Sequence, residues 1–99
     1  MPNYKIYYTD RASQDQQELY EYLLEKGGMQ TVKKLDAKIE KSLSLIAQRP
    51  EMNPSSQQTS IRRCVISKQT SLYYRVNKYN IELLTFFYTR QHPSKKKLK

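Results

Sequence analysis

Residues 19–50, LYEYLLEKGGMQTVKKLDAKIEKSLSLIAQRP, carry apolar side chains at helical spacing on both sides of a Gly-Gly pair. Gly27 and Gly28 end the first helix, because glycine readily adopts the left-handed conformation that caps a helix. Pro50 ends the second helix, predicted over 31–48, since proline disfavours helical backbone at the residue before it. The segment therefore predicts two antiparallel helices joined by a short glycine turn. The apolar stripe of the second helix consists of Val32, Leu35, Ile39, Leu43 and Ile46.

Strand-like segments flank this helical hairpin. Residues 3–8 are rich in tyrosine and isoleucine and alternate along the chain, as is typical of a strand. Thr9 and Asp10 follow with side-chain oxygens suited to capping a helix that begins near Arg11. Beyond a polar loop at 51–60, three more strand-like runs with short polar connections predict an antiparallel meander. These runs span residues 61–67, 71–76 and 81–88.

The element order, β-α-α-β-β-β, predicts an α+β fold in two layers. The helical hairpin is expected to pack on one face of a mainly antiparallel four-stranded sheet, because two helices can cover one sheet face. We expect the first strand at an edge of the sheet or beside the last strand. A length of 99 residues fits one domain. We assign that domain to residues 1–92, followed by a basic C-terminal tail at 93–99.

Alternation along the strands predicts which side chains share a face of the sheet. It separates Arg62 from Arg63, and it places Cys64 on the same face as Arg62. Cys64 is interpreted as a small buried side chain and not as a nucleophile. In the next strand, Tyr73 and Arg75 oppose Leu72, Tyr74 and Val76. In the last strand, strict alternation groups Ile81, Leu83, Thr85 and Phe87 against Glu82, Leu84, Phe86 and Tyr88.

Composition argues against several classes of chemistry. One cysteine and one histidine form neither an intrachain disulfide nor a four-ligand zinc site of those residue types. Two adjacent glycines fit neither a phosphate-binding P-loop nor a dinucleotide fingerprint. We therefore expect no metal and no cofactor. The N-terminal residues lack the apolar stretch of a signal peptide, and a free cysteine suits a reducing compartment, so we expect a cytoplasmic protein.

Charge is distributed unevenly along the chain. Residues 1–60 contain eight basic and eight acidic side chains, whereas residues 61–99 contain ten basic side chains and one acid, Glu82. The whole formal net charge of +9 therefore lies in the second part. A positive field of this kind suits a polyanion or an acidic protein, although net charge can also serve solubility alone. With a single carboxylate there, two-carboxylate hydrolysis is not expected in this half.

Arginine and tyrosine side chains interleave in the basic half and form a candidate binding surface. The guanidinium group binds phosphate through two donors and stacks on bases, and tyrosine adds a stacking face and a hydroxyl. His92 titrates near neutrality when unperturbed, which makes it the default acid–base candidate. The lysines of the tail can strengthen contact with phosphates. The candidate target-binding residues are Arg62, Tyr73, Arg75, Tyr88, Lys95, Lys96 and Lys97; the candidate catalytic residues, if the protein is a nuclease, are Arg63, Arg90 and His92.

Five segments in a fixed order carry a family resemblance over almost the whole chain. They are YKIYYT at 4–9 with Ala12 after it, LIAQRP at 45–50, IRRCVI at 61–66, LYYRV at 72–76 and IELLTFFYTRQHP at 81–93. In order and spacing, and in the basic C-terminal half, the sequence resembles the RelE/ParE superfamily of toxins from bacterial type II toxin–antitoxin modules. The resemblance implies the α/β layer described above and a cognate antitoxin that neutralises the toxin.

The superfamily divides by target. ParE-like members inhibit DNA gyrase, and RelE-like members are metal-independent endoribonucleases that cleave mRNA in the ribosomal A site with basic residues. The resemblance places Arg62 or Arg63 at a basic position of the second strand, and Arg90, followed by His92, after the last strand. Where RelE-like nucleases have a phosphate-binding arginine near the start of the third strand, this chain has Thr70-Ser71-Leu72.

The preferred interpretation is a ParE-like toxin that inhibits DNA gyrase and is neutralised by a cognate antitoxin. The first alternative is a RelE-like, ribosome-dependent mRNA endoribonuclease, with Arg63, Arg75, Arg90 and His92 supplying cations and acid–base groups around the scissile phosphate. The second alternative is a non-toxic basic module that binds RNA or DNA. It accounts equally well for the uneven charge but not for the order of the five segments.

Overall fold

The computed structural model describes residues 3–56 and 58–89. The elements follow one another in the predicted order, and the fold is α+β. Arg90, His92 and the tail predicted at 93–99 lie outside the described residues. The elements are β1 (Lys5–Tyr8), α1 (Asp10–Gln48), β2 (Arg62–Val65), β3 (Thr70–Asn77) and β4 (Asn80–Tyr88).

The helical segment α1 is folded back on itself at Gly28. Gly28 has φ 81° and ψ −179°, a backbone conformation that essentially only glycine adopts. A straight helix of this length would span about 58 Å, yet the longest extent of the molecule is 39 Å. The hydroxyl of Tyr20 donates a 2.7 Å hydrogen bond to Asp36 and joins the two arms, residues 10–27 and 29–48. The predicted helical hairpin is therefore confirmed.

The start of α1 is fixed by Thr9, as the sequence indicated. Its side-chain oxygen accepts a 3.1 Å hydrogen bond from the backbone N–H of Ala12, which satisfies a free donor of the first turn. The same hydroxyl donates to the carbonyl of Leu83 at 2.6 Å. One side chain thus caps the helix and ties its first turn to β4.

The four strands form one mixed sheet in the order β1-β4-β3-β2. β1 pairs with β4 in parallel, and the β2–β3 and β3–β4 pairs are antiparallel. The first strand lies at an edge and beside the last strand, which fulfils both expectations for its place. The outer edge of β2 is partly covered, because the carbonyl of Pro54 accepts from the N–H of Arg63 at 3.2 Å and Ser55 bridges to Arg62.

A β-bulge in β4 overturns the predicted alternation of that strand. Tyr74 lies opposite Leu83 but Tyr73 lies opposite Thr85, so Leu84 is one residue too many. An extra residue reverses the alternation beyond it. Phe86 therefore joins Ile81 and Leu83 in the core and is only 5% exposed, and the grouping of Thr85 and Phe87 with those residues was wrong.

The bulge is held by Asp15 of the first arm. Its carboxylate accepts a 3.2 Å hydrogen bond from the N–H of Phe86 and another from the hydroxyl of Thr85. β1 pairs with β4 only as far as Leu83. Beyond Leu83, Asp15 of the helix accepts the backbone hydrogen bond of β4 in place of a neighbouring strand. A charged acceptor gives a stronger hydrogen bond than a neutral one.

The core lies between α1 and one face of the sheet. Tyr74 is fully buried there, and its hydroxyl donates to the carbonyl of Pro50 at 2.7 Å and accepts from Asn53 at 3.1 Å. Cys64 is a free, buried thiol, as predicted. Within the described ranges, no helix is long and apolar enough to cross a membrane. The buried core side chains are Ala12, Leu19, Leu23, Leu35, Ile39, Leu43, Ile46, Cys64, Leu72, Tyr74, Ile81, Leu83 and Phe86.

Candidate functional site

The candidate site is the sheet face that points away from α1, named here the open face. Residues directly opposite one another in neighbouring strands share a face, so the register identifies its members. Several are well exposed: Val65 is 60% exposed and Tyr7 is 50% exposed. The open face includes Lys5 and Tyr7 of β1, Arg63 and Val65 of β2, Ser71, Tyr73 and Arg75 of β3, and Glu82 and Phe87 of β4.

Arg63 is the exposed cation at the centre of β2. Its Nε donates a 3.2 Å hydrogen bond to the hydroxyl of Ser71 on the adjacent strand, which orients the guanidinium group across the sheet. Tyr73 lies directly opposite Arg63 in the register and is half-buried. The other guanidinium donors of Arg63 have no partner within the described part of the chain. The pair therefore offers a cation beside an aromatic ring, a combination that suits phosphate, a base or an acidic side chain.

Arg75 also lies on the open face, but it is paired with a carboxylate. Its Nη2 and Nε donate to the same oxygen of Glu82 at 2.9 and 3.2 Å. Glu82 is the one acid of residues 61–99. The pair is largely exposed, and such surface pairs contribute about 0–1 kcal/mol. Arg75 therefore belongs to the open face, but the carboxylate of Glu82 balances its charge.

Arg62 and Tyr88 lie on the helix side of the sheet. The guanidinium group of Arg62 donates to the carbonyls of Glu51 (3.3 Å) and Asn53, so it holds the loop after α1 against β2. Tyr88 lies opposite Thr70, and its ring centroid is 6.0 Å from that of Tyr22.

The predicted site residues therefore divide between two faces. Arg63, Tyr73 and Arg75 come together on the open face, whereas Arg62 and Tyr88 lie on the other side of the sheet. Arg90, His92, Lys95, Lys96 and Lys97 lie outside the described residues, so their roles stay predictions.

Residues 3–56 and 58–89 present arginines and aromatic rings of the kinds that suit an anion or a flat ring. The single histidine of the chain lies beyond them, and they hold no cluster of three or more His, Cys, Asp or Glu side chains suited to a metal ion. Burial raises the pKa of the Cys64 thiol, which opposes a nucleophilic role. Burial likewise raises the pKa of Tyr74, and burial followed by a hydrogen bond to Asp36 raises that of Tyr20.

A cleft of about 240 Å³ on the helix side was not anticipated from the sequence. It lies between the second arm of α1 and the β2–β3 turn, and its lining includes Lys34, Lys38 and Lys68. The spacing of Lys34 and Lys38 places both on one helix face. The arrival of Lys68 beside them depends on how the sheet packs on the helix, which no local pattern specifies.

Comparison with known proteins gives one family match. A family model described as the ParE toxin of the type II toxin–antitoxin system parDE matches residues 6–93. No curated protein sequence matches the chain.

Solved structures with the same fold come from several bacterial systems. The chromosomal ParDE toxin–antitoxin system of Pseudomonas aeruginosa contains a chain with 17% identity and a TM-score of 0.72, and the match covers 86% of this chain and 95% of that one. The YoeB dimer of Staphylococcus aureus shows 20% identity and a TM-score of 0.62, covering 87% and 97%. The RelBE2 toxin–antitoxin complex of Mycobacterium tuberculosis shows 14% identity and a TM-score of 0.60, covering 87% and 98%. At these identities the likeness shows a shared fold.

Proposed function

The chain belongs to the ParE toxin family of type II toxin–antitoxin systems, and on this premise we propose that it arrests growth by inhibiting DNA gyrase in the cytoplasm. The observation that carries the proposal is the family match, which spans residues 6–93 and so includes the whole helical hairpin and all of the sheet except Lys5. The open face, centred on Arg63 and Tyr73, is the proposed contact surface for the enzyme.

The start of β3 supports gyrase over mRNA as the target. RelE-like nucleases have a phosphate-binding arginine near this position, and here Thr70, Ser71 and Leu72 are all buried. Arg75 lies further along the strand and is engaged by Glu82. None of Thr70, Ser71 and Leu72 carries a positive charge, so they offer no replacement for that arginine.

The alternative is a metal-independent, RelE-like mRNA endoribonuclease. The exposed guanidinium group of Arg63 beside Tyr73 favours it, since a cation and a ring suit a single RNA strand. In this alternative, the ribose 2′-OH attacks the adjacent phosphorus, and the bond to the 5′-oxygen of the next nucleotide breaks, which leaves a 2′,3′-cyclic phosphate. His92 transfers the proton of the 2′-OH to the departing 5′-oxygen, and Arg63 and Arg90 stabilise the developing negative charge.

A cognate antitoxin is the proposed protein partner. The structures of related fold include the RelBE2 toxin–antitoxin complex and a YoeB–YefM complex from Staphylococcus aureus. A net charge of +9 suits an acidic partner. The exposed side chains of Val65 and Tyr7 give such a partner apolar contact area on the open face.

Induction of the full chain in growing cells tests the proposed target. We expect growth arrest with loss of plasmid supercoiling and with intact transcripts. Arg63→Gln should weaken the effect about tenfold, as for one lost charged contact. Lys41→Gln is the matched control, because it removes one positive charge from the second arm of α1, away from the open face. Transcripts cut in codon register with normal supercoiling would support the nuclease instead, and normal growth would contradict both.

A further inference from the structure

The cleft on the helix side combines charge, shape and an unused hydrogen-bonding group. It lies across the sheet from the open face, so it is separate from the surface proposed to contact gyrase. Thr70 and Tyr88, opposite one another in the register, line it from the sheet, and Leu23 and Leu35 line it from the two arms of α1.

Three lysines give the cleft a concentrated positive charge. Lys34 and Lys38 are one helical turn apart, and Lys68 approaches from the β2–β3 turn. All three are exposed, and among the described residues no carboxylate belongs to the lining. The two ion pairs described for residues 3–56 and 58–89, Arg11–Asp15 and Arg75–Glu82, involve none of them. Like charges brought together without counter-charges favour an anion between them.

Thr70 provides the second, independent observation. Its side chain is fully buried and lines the cleft, and its hydroxyl has no hydrogen-bond partner among the described residues. Buried polar groups almost always have a partner, so an exception needs an explanation. An anion oxygen is an acceptor that a threonine hydroxyl can satisfy.

The size and polarity of the cleft restrict the ligand. Its volume is about 240 Å³, compared with roughly 30 Å³ for one water molecule in the liquid. The cleft therefore has room for a small organic anion. The side chains of Leu23, Leu35 and Tyr88 add an apolar and aromatic wall beside the lysines. A pocket lined by both convergent polar groups and apolar side chains fits a charged head on a flat organic body.

We propose that this cleft binds a small phosphate monoester such as a nucleoside 5′-monophosphate. The phosphate lies among Lys34, Lys38, Lys68 and the hydroxyl of Thr70, and the organic part lies against Leu23, Leu35 and Tyr88. The site does not depend on the proposed target of the toxin, and its ligand leaves the open face uncovered.

Calorimetric titration of the purified full chain with adenosine 5′-monophosphate tests this assignment. We expect saturable binding, with adenosine and inorganic phosphate each at least about tenfold weaker, because each lacks half of the contacts. The double substitution K34Q/K38Q should weaken binding at least about tenfold. The matched control K33Q/K41Q removes the same charge from the same arm outside the cleft and should leave binding unchanged.

Substitution of Thr70 separates a ligand contact from a general charge effect. Thr70→Val should weaken binding several-fold without lowering the thermal unfolding midpoint, since the hydroxyl has no partner among residues 3–56 and 58–89. Thr70→Ser should retain binding. Equal losses in both lysine double variants, equal affinity for adenosine and its monophosphate, or no saturation would each overturn the proposal. Binding of an oligonucleotide without a terminal phosphate through Lys34 and Lys38 would overturn it in favour of a nucleic-acid backbone site.

Discussion

At the scale of single residues, the polar ends of buried tyrosines hold this small fold together. Tyr74 is completely buried, and its hydroxyl makes two hydrogen bonds: it donates to the carbonyl of Pro50 and accepts from the amide of Asn53. These contacts attach the loop after α1 to the centre of the sheet. Tyrosine is suited to this role because its ring fills the core while its hydroxyl reaches a partner at the boundary.

Replacing Tyr74 by phenylalanine should destabilise the protein. The substitution leaves the carbonyl of Pro50 without its donor and the amide of Asn53 without its acceptor, and we expect a loss of about 1–2 kcal/mol in the free energy of unfolding. Urea denaturation measures it. Tyr79→Phe serves as control because Tyr79 is 79% exposed and should change stability little. Equal effects of the two substitutions would contradict the described role of the Tyr74 hydroxyl.

Tyr20 makes stability depend on pH in the alkaline range. Burial, and then the hydrogen bond donated to Asp36, raise its pKa above the ordinary value of 10.0. The unfolded chain therefore releases the phenol proton at lower pH than the folded chain does. The stability gained from the neutral phenol is complete below about pH 10 and is lost as the pH rises above it.

Tyr20→Phe should therefore lower stability at pH 7 and make stability fall less steeply between about pH 9 and 11. Urea midpoints measured across this range give the slope directly. Tyr8, Tyr74 and Cys64 also have pKa values raised by burial, so part of the alkaline loss should remain in the variant. An unchanged slope would show that the phenol of Tyr20 is not protected in the folded state.

The arginines show how far single residues could be predicted from sequence. Alternation correctly separated Arg62 from Arg63, because side chains of neighbouring strand residues point to opposite faces. The engagement of Arg75 by Glu82 depends on the pairing of β3 with β4 and could not be read from one strand. The same holds for Arg62, whose partners are carbonyls of a loop without a regular pattern.

At the scale of elements, the Gly-Gly turn decides the fold. Gly28 lets α1 reverse, so that Leu19 and Leu23 of the first arm and Leu35 and Ile39 of the second bury against the same sheet. The reversal was predictable, since few residues other than glycine adopt a positive φ at low cost. The spacing of apolar residues by three and four positions predicted both helical arms equally well.

Gly28→Ala tests this role. A Cβ at φ 81° and ψ −179° is strained wherever it points, and we expect a loss of about 1–3 kcal/mol in the free energy of unfolding. Gln30→Ala, an exposed change in the next turn, should be neutral or slightly stabilising because alanine favours helix. Circular dichroism at a series of urea concentrations compares the two. A Gly28→Ala variant as stable as the parent would show that the arms do not require this turn.

The bulge in β4 marks the limit of prediction at this scale. Its local sequence, Leu83-Leu84-Thr85-Phe86, carries no glycine or other signal of a bulge, and strict alternation was the natural expectation. The extra residue becomes understandable only through Asp15, which lies 71 residues away in sequence and accepts the N–H of Phe86. A long-range acceptor of this kind leaves no trace in a strand pattern.

At the scale of the whole molecule, basic side chains lie on both sides of the sheet. α1 covers one face of the sheet, and the open face presents Arg63, Tyr73 and the Arg75–Glu82 pair. The three-lysine cleft lies on the other side. The sequence predicted two layers and a basic sheet. It could not predict the cleft, because the cleft forms where α1 packs against the β2–β3 turn. The two proposed binding surfaces differ in chemistry, one suited to a protein target and the other to a small anion.

A supercoiling assay with purified DNA gyrase, relaxed plasmid and ATP measures the proposed inhibition without other cell components. We expect the full chain to block the introduction of supercoils in a concentration-dependent way, with about tenfold more protein needed for Arg63→Gln, while Lys41→Gln behaves as the parent. Complete supercoiling in the presence of excess chain, with the same preparation cleaving mRNA on translating ribosomes, would contradict the proposed inhibition.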